Sequence, residues 1–262
     1  MDIDKIYDEF QIDNVIISGE SIKVREGFFR ENDLIKVFSG YNELYFRIDK
    51  NGLLDILKHV IDQINQLSCD NSYNYMIGVL NILQKEINTY FGELENGKRL
   101  RFYMQNGEKA SDEDSRICSL SQIKGQGIAE CAEKASVANN ILLILNKIGL
   151  FNYKVKYCNG IASINNSNIG GHAFLDFEKT TKKGDSIHVI YDITNPEVIV
   201  YEGNDYQYPA LYCLNNDEYV KFLNGIPFNN TKFIMIKNYK LKYDREYKGF
   251  SVDSEDEKHI AN

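Results

Sequence analysis

The stretch GGHAFLDFEKTTKKGDSIHVIYDITNP, residues 170–196, decides how this chain is read. Before the polar loop 179–185, Ala173, Leu175 and Phe177 alternate with His172, Phe174 and Asp176; after it, Ile187, Val189 and Tyr191 alternate with His188, Ile190 and Asp192. A two-residue period on both sides of a polar loop predicts an antiparallel hairpin with one almost wholly apolar face. Pairing 172–178 with 186–192 sets Ala173 opposite Tyr191, Leu175 opposite Val189 and Phe177 opposite Ile187 on that face. The other face then carries His172 with Asp192, Phe174 with Ile190 and Asp176 with His188. Directly opposed side chains have β-carbons about 5 Å apart, so Asp192 can accept a hydrogen bond from the His172 ring and orient it. A one-residue slip of either strand would set apolar against polar side chains, and the hydrophobic pattern therefore selects this parity. The same pairing produces a rival, Asp176 with His188. It is read as a surface or structural pair, because His172 is the histidine that follows two glycines, Gly170 and Gly171, which let a substrate or a helix approach closely.

Upstream, GQGIAECAEKASVANNILLILNKIG occupies residues 125–149. From Glu130 onward Ala132, Ala135, Val137, Ala138, Ile141, Leu142, Ile144, Leu145 and Ile148 are apolar over most of a helical circumference. That predicts a helix buried on more than one side and ended by Gly149. Cys131 stands at its start. A thiol attacks only as the thiolate, and a helix amino terminus and a neighbouring imidazolium both favour that form. Cys131, His172 and Asp192 thus read as nucleophile, proton carrier and orienting carboxylate. Cys69, Cys118, Cys158 and Cys213 lack the combination of helix start and glycine-flanked approach, and Cys158 is read as core. His59, on the polar side of an early helix, and His259, near the end of the chain, carry no catalytic signal.

The segment from about Gly125 to Pro196 resembles the transglutaminase-like superfamily of papain-like cysteine enzymes, with Cys131, His172 and Asp192 at the positions of its Cys, His and Asp. The resemblance implies an α+β fold in which a nucleophile-bearing helix packs on an antiparallel sheet that presents His and Asp on adjacent strands. It further implies acyl transfer or hydrolysis at an amide of a protein or peptide substrate, through a thioester and with no cofactor or metal. Gln126, five residues before Cys131, resembles the upstream glutamine of papain-like enzymes and is the expected second oxyanion donor beside the Cys131 backbone amide. Ala129 stands where family members often have Gly, and Phe174 where they often have Trp; the chain contains no tryptophan. The Arg-Gly-Gly-x-Cys signature of arylamine acetyltransferases is also absent. These departures leave a second reading open, a binding or scaffold module that keeps the fold without turnover.

The bulk properties narrow the field. At 262 residues and 43% hydrophobic, the chain can bury the core of one large domain or two small ones. Its 38 acidic and 30 basic residues give a formal charge of −8, which disfavours nucleic acid and anionic membranes as partners. Five cysteines, an odd number without a Cys-x-x-Cys pair, indicate neither a disulfide framework nor a zinc site, and free thiols fit a reducing compartment. There is no basic-then-apolar leader and no apolar run of membrane-spanning length, so a cytoplasmic location is expected, with signal-independent export left open.

Residues 1–110 read as an amino-terminal α+β region. Short strands are expected at Val15–Ile17, Ile22–Val24, Leu34–Phe38 and Leu44–Ile48, followed by a helical hairpin whose apolar stripes run from Leu53 to Leu67 and from Met76 to Phe91. The polar run 105–116 reads as a linker, which makes 111–250 the catalytic domain and 251–262 a charged tail. Further strands are expected at Tyr153–Tyr157, Val198–Tyr201 and Phe233–Lys237.

Overall fold

The computed structural model describes residues 3–10, 15–18, 22–38, 42–67, 72–110, 114–164, 167–180, 184–201, 204–224, 241–244 and 249–252. Helix α1 (Ile3–Glu9) precedes β1 (Val15–Ser18), β2 (Ile22–Glu26), β3 (Ile35–Phe38) and β4 (Leu44–Arg47), which fall where the period-two runs place them. Helix α2 (Lys50–Ile64) begins where the Asp49 carboxylate accepts from the Gly52 amide at 3.3 Å. It buries Leu53, Leu57, Val60 and Ile64 along one stripe, and α3 (Ser72–Phe91) answers with Met76, Val79, Leu80, Leu83 and Ile87. Then follow α4 (Lys98–Asn106), β5 (Glu108–Lys109), β6 (Arg116–Ser119), α5 (Cys131–Lys147), β7 (Lys154–Ile164), β8 (Ser167–Thr180), β9 (Ser186–Tyr201), β10 (Asn204–Asn215), α6 (Asn216–Leu223), β11 (Leu241–Asp244) and β12 (Gly249–Val252).

The architecture is mixed α+β. One sheet has the order β1-β2-β7-β8-β9-β10 and is antiparallel throughout; a second has the order β3-β4-β6-β5, with β4 and β6 parallel. Strands from the first 110 residues therefore sit in both sheets alongside later ones, and one hydrophobic core runs from Tyr7 through α2, α3 and α5 to Leu211. The polar run read as a linker joins β5 to β6 within the second sheet. A charged stretch looks the same whether it tethers domains or loops between exposed strands. Of the expected tail, Ser251 and Val252 belong to β12; the remainder of that tail and the expected strand at 233–237 lie outside the described residues.

Helix α5 is the central element and is buried along most of its length, and several of its buried polar side chains are matched. Asn140 accepts from the Phe29 amide at 2.9 Å and donates to the Phe29 carbonyl at 2.8 Å, tying the helix to the chain after β2. The helix stops as expected at Gly149, whose φ of +79° carries a reversal closed by Gly149 N–H to Asn146 C=O at 3.0 Å and Leu150 N–H to Leu145 C=O at 2.8 Å.

The β8–β9 pairing corrects the expected register. Leu175 faces Tyr191, Phe177 faces Val189 and Lys179 faces Ile187, so each partner is displaced by two residues from the pairing read in the sequence, and His172 is not directly opposite Asp192. Parity is as expected: Leu175, Phe177, Val189 and Tyr191 lie in the main core, whereas Phe174 and Ile190 join Cys158, Leu214, Tyr219 and Phe222 in a second cluster. A two-residue shift keeps every side chain on its face, so the hydrophobic pattern cannot separate the two registers. The β8–β9 ladder ends at Leu175 and Tyr191. Beyond it His172 pairs with Gly160 of β7 and Asp192 with Ala210 of β10.

The loop that delivers α5 is pinned to the end of α3. Gly125 N–H donates to Tyr90 C=O at 2.8 Å, Gly127 N–H to Phe91 C=O at 2.8 Å, and Gly127 C=O accepts from Glu95 N–H at 2.7 Å. Gly127 has φ +64°, and a β-carbon there would lie 2.1 Å from the Glu93 carbonyl oxygen; Gly149, also at positive φ, has nothing within 4 Å. Gly127→Ala is therefore expected to cost about 1–3 kcal/mol and clearly more than Gly149→Ala, as read by urea unfolding. Equal losses would show that the loop relaxes freely around the added methyl.

Candidate active site

Cys131 is the first residue of α5, and the turn that carries it is built around a buried charge. Glu133 has no exposed surface. Its carboxylate accepts the Glu130 backbone N–H at 3.2 Å, the Tyr103 hydroxyl at 3.2 Å, and Arg99 Nη2 at 2.7 Å to each oxygen. Arg99 also donates through Nη1 to Glu130 Oε2 at 2.6 Å. Burial works against the Arg99 charge, but Glu133 and Glu130 more than restore it and hold the guanidinium above its ordinary value. Burial and the Glu133 charge push the Tyr103 phenol well up, so it stays a donor. Two residues of α4 thus fix the amino terminus of α5, where free backbone N–H groups favour negative charge.

The Cys131 thiol is partly exposed, lies 4.0 Å from the Gly171 carbonyl oxygen, and is close enough to the His172 ring to favour its charged form. His172 Nε2 meets Asp192 Oδ2 at 2.7 Å across the diagonal of the two strands, which leaves Nδ1 for the cysteine side. Asp192 is itself held. Oδ1 accepts from Thr194 N–H and Thr194 Oγ1, each at 2.9 Å, and from Asn195 N–H at 3.3 Å, while Oδ2 accepts Asn195 Nδ2 at 2.8 Å. Burial opposes the charge on His172, yet its hydrogen bonds to Asp192 and Cys131 and their charges push it up to about 10. Burial likewise opposes ionisation of Asp192, and the His172 contact, with Asn195 and Thr194, brings it down to about 2. An imidazolium is thereby kept charged beside a thiol at a helix start.

The structure thus brings Cys131, His172 and Asp192 together and separates the alternatives. Cys118 and Cys158 are fully buried, and burial pushes the Cys118 thiol up to about 12 and that of Cys158 well above its ordinary value. Cys69 and the side chain of Cys213 lie outside the described residues. The Asp176–His188 pair exists, with Nδ1 3.0 and 3.1 Å from the two carboxylate oxygens, but both residues are buried and the His188 ring stacks on Tyr219 of α6 at 3.5 Å between centroids. His59 is exposed on α2. Gln126 is not joined to the three: its side-chain amide donates to the Lys124 carbonyl at 3.4 Å, within its own loop. Arg99, Glu133 and Tyr103 were missed by sequence reasoning, although the spacing of Glu130 and Glu133 is a helix-start signal. Among the described residues no group of His, Cys, Asp and Glu is arranged to hold a metal ion, and no helix is long and apolar enough to cross a membrane.

Comparison of the chain with protein-family models, with curated proteins and with solved structures found no match.

Two outcomes follow from this geometry. Arg99→Leu strands the Glu133 carboxylate without its cation and should destabilise the fold by roughly 3–5 kcal/mol in urea unfolding, whereas Arg99→Leu combined with Glu133→Leu should recover part of the loss. His172, raised above 6.5, contributes stability that is complete below pH 6.5 and is lost as pH rises through about 10. Asp192, lowered from 3.8, contributes stability above pH 3.8 that is lost as pH falls through about 2. In NMR titration the His172 imidazolium should therefore persist well above pH 7, and Asp192→Asn should bring its midpoint down toward the ordinary histidine value. A wild-type midpoint already at 6.5 would contradict the pairing.

Proposed function

We propose that this chain is a cysteine-dependent enzyme with a transglutaminase-like, papain-like core that hydrolyses or transfers the acyl group of an amide in a protein or peptide. The observation that carries the reading is His172 set between the Asp192 carboxylate at 2.7 Å and the Cys131 thiol at the start of α5. The Cys131 thiolate adds to the amide carbonyl carbon, and the resulting oxyanion is received at the α5 amino terminus by the Cys131 backbone N–H. Gln126 supplies a second donor once its amide leaves the long contact to Lys124. The C–N bond breaks as the His172 imidazolium hands its proton to the departing amine, leaving a thioester and a neutral imidazole. Water then loses a proton to His172 as it attacks the thioester, and the C–S bond breaks to release the acid and restore the Cys131 thiolate beside the His172 imidazolium; an amine in place of water gives a new amide. Asp192 keeps the ring in place through both halves and stabilises its charge.

Residue 174 bears on the competing module reading. Phe174, in place of the tryptophan often found in the resembled family, is 7% exposed, packs into the second cluster and lies 6.2 Å from the His172 ring between centroids, so it offers an apolar wall and no N–H donor. A chain that kept the fold without turnover would retain the same wall. Iodoacetamide separates the two: Cys131 is expected to alkylate selectively, while a set of amine and glutamine-peptide probes should turn over with wild type and not with Cys131→Ala. Equal slow labelling of all cysteines, or full activity in Cys131→Ala, would leave the module as the better reading.

A further inference from the structure

We propose that Lys134 recognises a carboxylate on the substrate, so that the amide attacked by Cys131 is one with an acidic group beside it. The proposal rests on the cysteine-hydrolase reading above and narrows its substrate class. Along α5 from Cys131 to Leu142 every residue is buried except two, Cys131 and Lys134. Residues three apart on a helix are neighbours on its surface, with β-carbons about 5–6 Å apart. The thiol and the ammonium therefore open from one side of the helix start, where the residues around them are packed into the core.

Lys134 is a cation that the fold does not match with an anion. Its Nζ donates to the Asn88 side-chain oxygen at 2.9 Å, near the end of α3, and among the described residues no carboxylate forms an ion pair with it. The two carboxylates nearest in sequence are engaged elsewhere. Glu130, one turn back, accepts Arg99 Nη1 at 2.6 Å, and Glu133 accepts Arg99 Nη2 and the Tyr103 hydroxyl. Burial pushes the Lys134 ammonium below its ordinary value, and the Glu133 charge offsets this only in part. Lys156 shows the opposite treatment: burial opposes its charge too, but Glu178, 2.8 Å from its Nζ, and the nearby Asp176 and Glu26 hold it above its ordinary value. Helix stability does not account for Lys134 either, because a cation this near a helix start faces the positive end of the dipole. An incoming carboxylate would supply the partner that the fold withholds and recover the cost of a half-buried charge. Such a group, held one turn from Cys131, would set the neighbouring amide against the thiolate.

The test uses the whole chain and three thiol-directed reagents: the N-chloroacetyl derivatives of glutamate α-amide, of glutamine as the free acid, and of glutamine α-amide. They carry a side-chain carboxylate, a terminal carboxylate and no charge. In each, the Cys131 thiolate forms a C–S bond as the C–Cl bond breaks and chloride leaves. An anionic reagent should label Cys131 about fivefold faster than the neutral one, and the faster of the two acids identifies the kind of carboxylate recognised. Lys134→Met, with far-UV circular dichroism unchanged, should abolish that preference, whereas Lys134→Arg should keep most of it. A preference that persists in Lys134→Met, or its absence from wild type while iodoacetamide still selects Cys131, would overturn acid recognition and leave the hydrolase reading standing. Equal slowing of all three reagents in Lys134→Met would overturn it as well, since Lys134 would then act on the thiolate and not on the substrate. Loss of selectivity for Cys131 with every reagent would overturn both readings.

Discussion

A carboxylate with no access to water sets the terms for the rest of this fold. Glu133 accepts from Arg99, Tyr103 and the Glu130 amide together, and a buried acidic side chain is tolerable only where such partners are in place. That requirement locks α4 against the first turn of α5, and with it the direction in which Cys131 leaves the helix. The position also suits the charge, since a carboxylate in a first turn meets unpaired N–H groups. The Cys131 thiol is therefore aimed by a structural ion pair one turn away.

Asp192 shows how one side chain serves two ends. The bland reading of Asp-Ile-Thr-Asn-Pro is a turn-forming aspartate, and the Asp192 carboxylate does cap that turn through Thr194 and Asn195. Its second oxygen holds His172. The turn bonds fix where the carboxylate sits, and the fixed carboxylate then fixes the ring. Asp176 and His188, four residues further along each strand on the same face, also make a hydrogen-bonding contact, at 3.0 Å, yet α6 seals them under Tyr219. A His–Asp pair is thus not a site by itself; solvent access and a thiol at a helix start make the difference at His172.

Much of this was legible because it is local. The stripes of α2, α3 and α5, the Gly149 stop and the alternation in β8 and β9 all follow from residues within a turn or two of each other. The β8–β9 register was not, because the alternation specifies which face a side chain takes and is blind to a shift of two. The His172–Asp192 contact survived that error since a diagonal across antiparallel strands is still within reach of long side chains. Helix α4 was invisible for another reason: its inward residues are Arg99 and Tyr103, so no apolar stripe marks it. The pairings of β2 with β7 and of β4 with β6 join residues about 130 and about 70 positions apart respectively, and no local pattern records them.

Those long-range pairings change what the first 110 residues are for. Arg25 of β2 is ion-paired to Asp33 at 2.5 Å and lies 4.0 Å over the Phe29 ring, which in turn meets Tyr157 of β7 edge-on at 5.0 Å. Phe29 is also the residue whose backbone Asn140 clasps from the middle of α5. The amino-terminal strands therefore cover the β7 edge that would otherwise stand open, and the chain after β2 braces α5 through Asn140. A detachable recognition domain would leave the second half able to fold alone, but here removal would strip β7 of its neighbour and Glu133 of its cation at once. The early residues are part of the frame that holds Cys131 against His172, and the site is as much their product as that of the segment in which its three side chains lie.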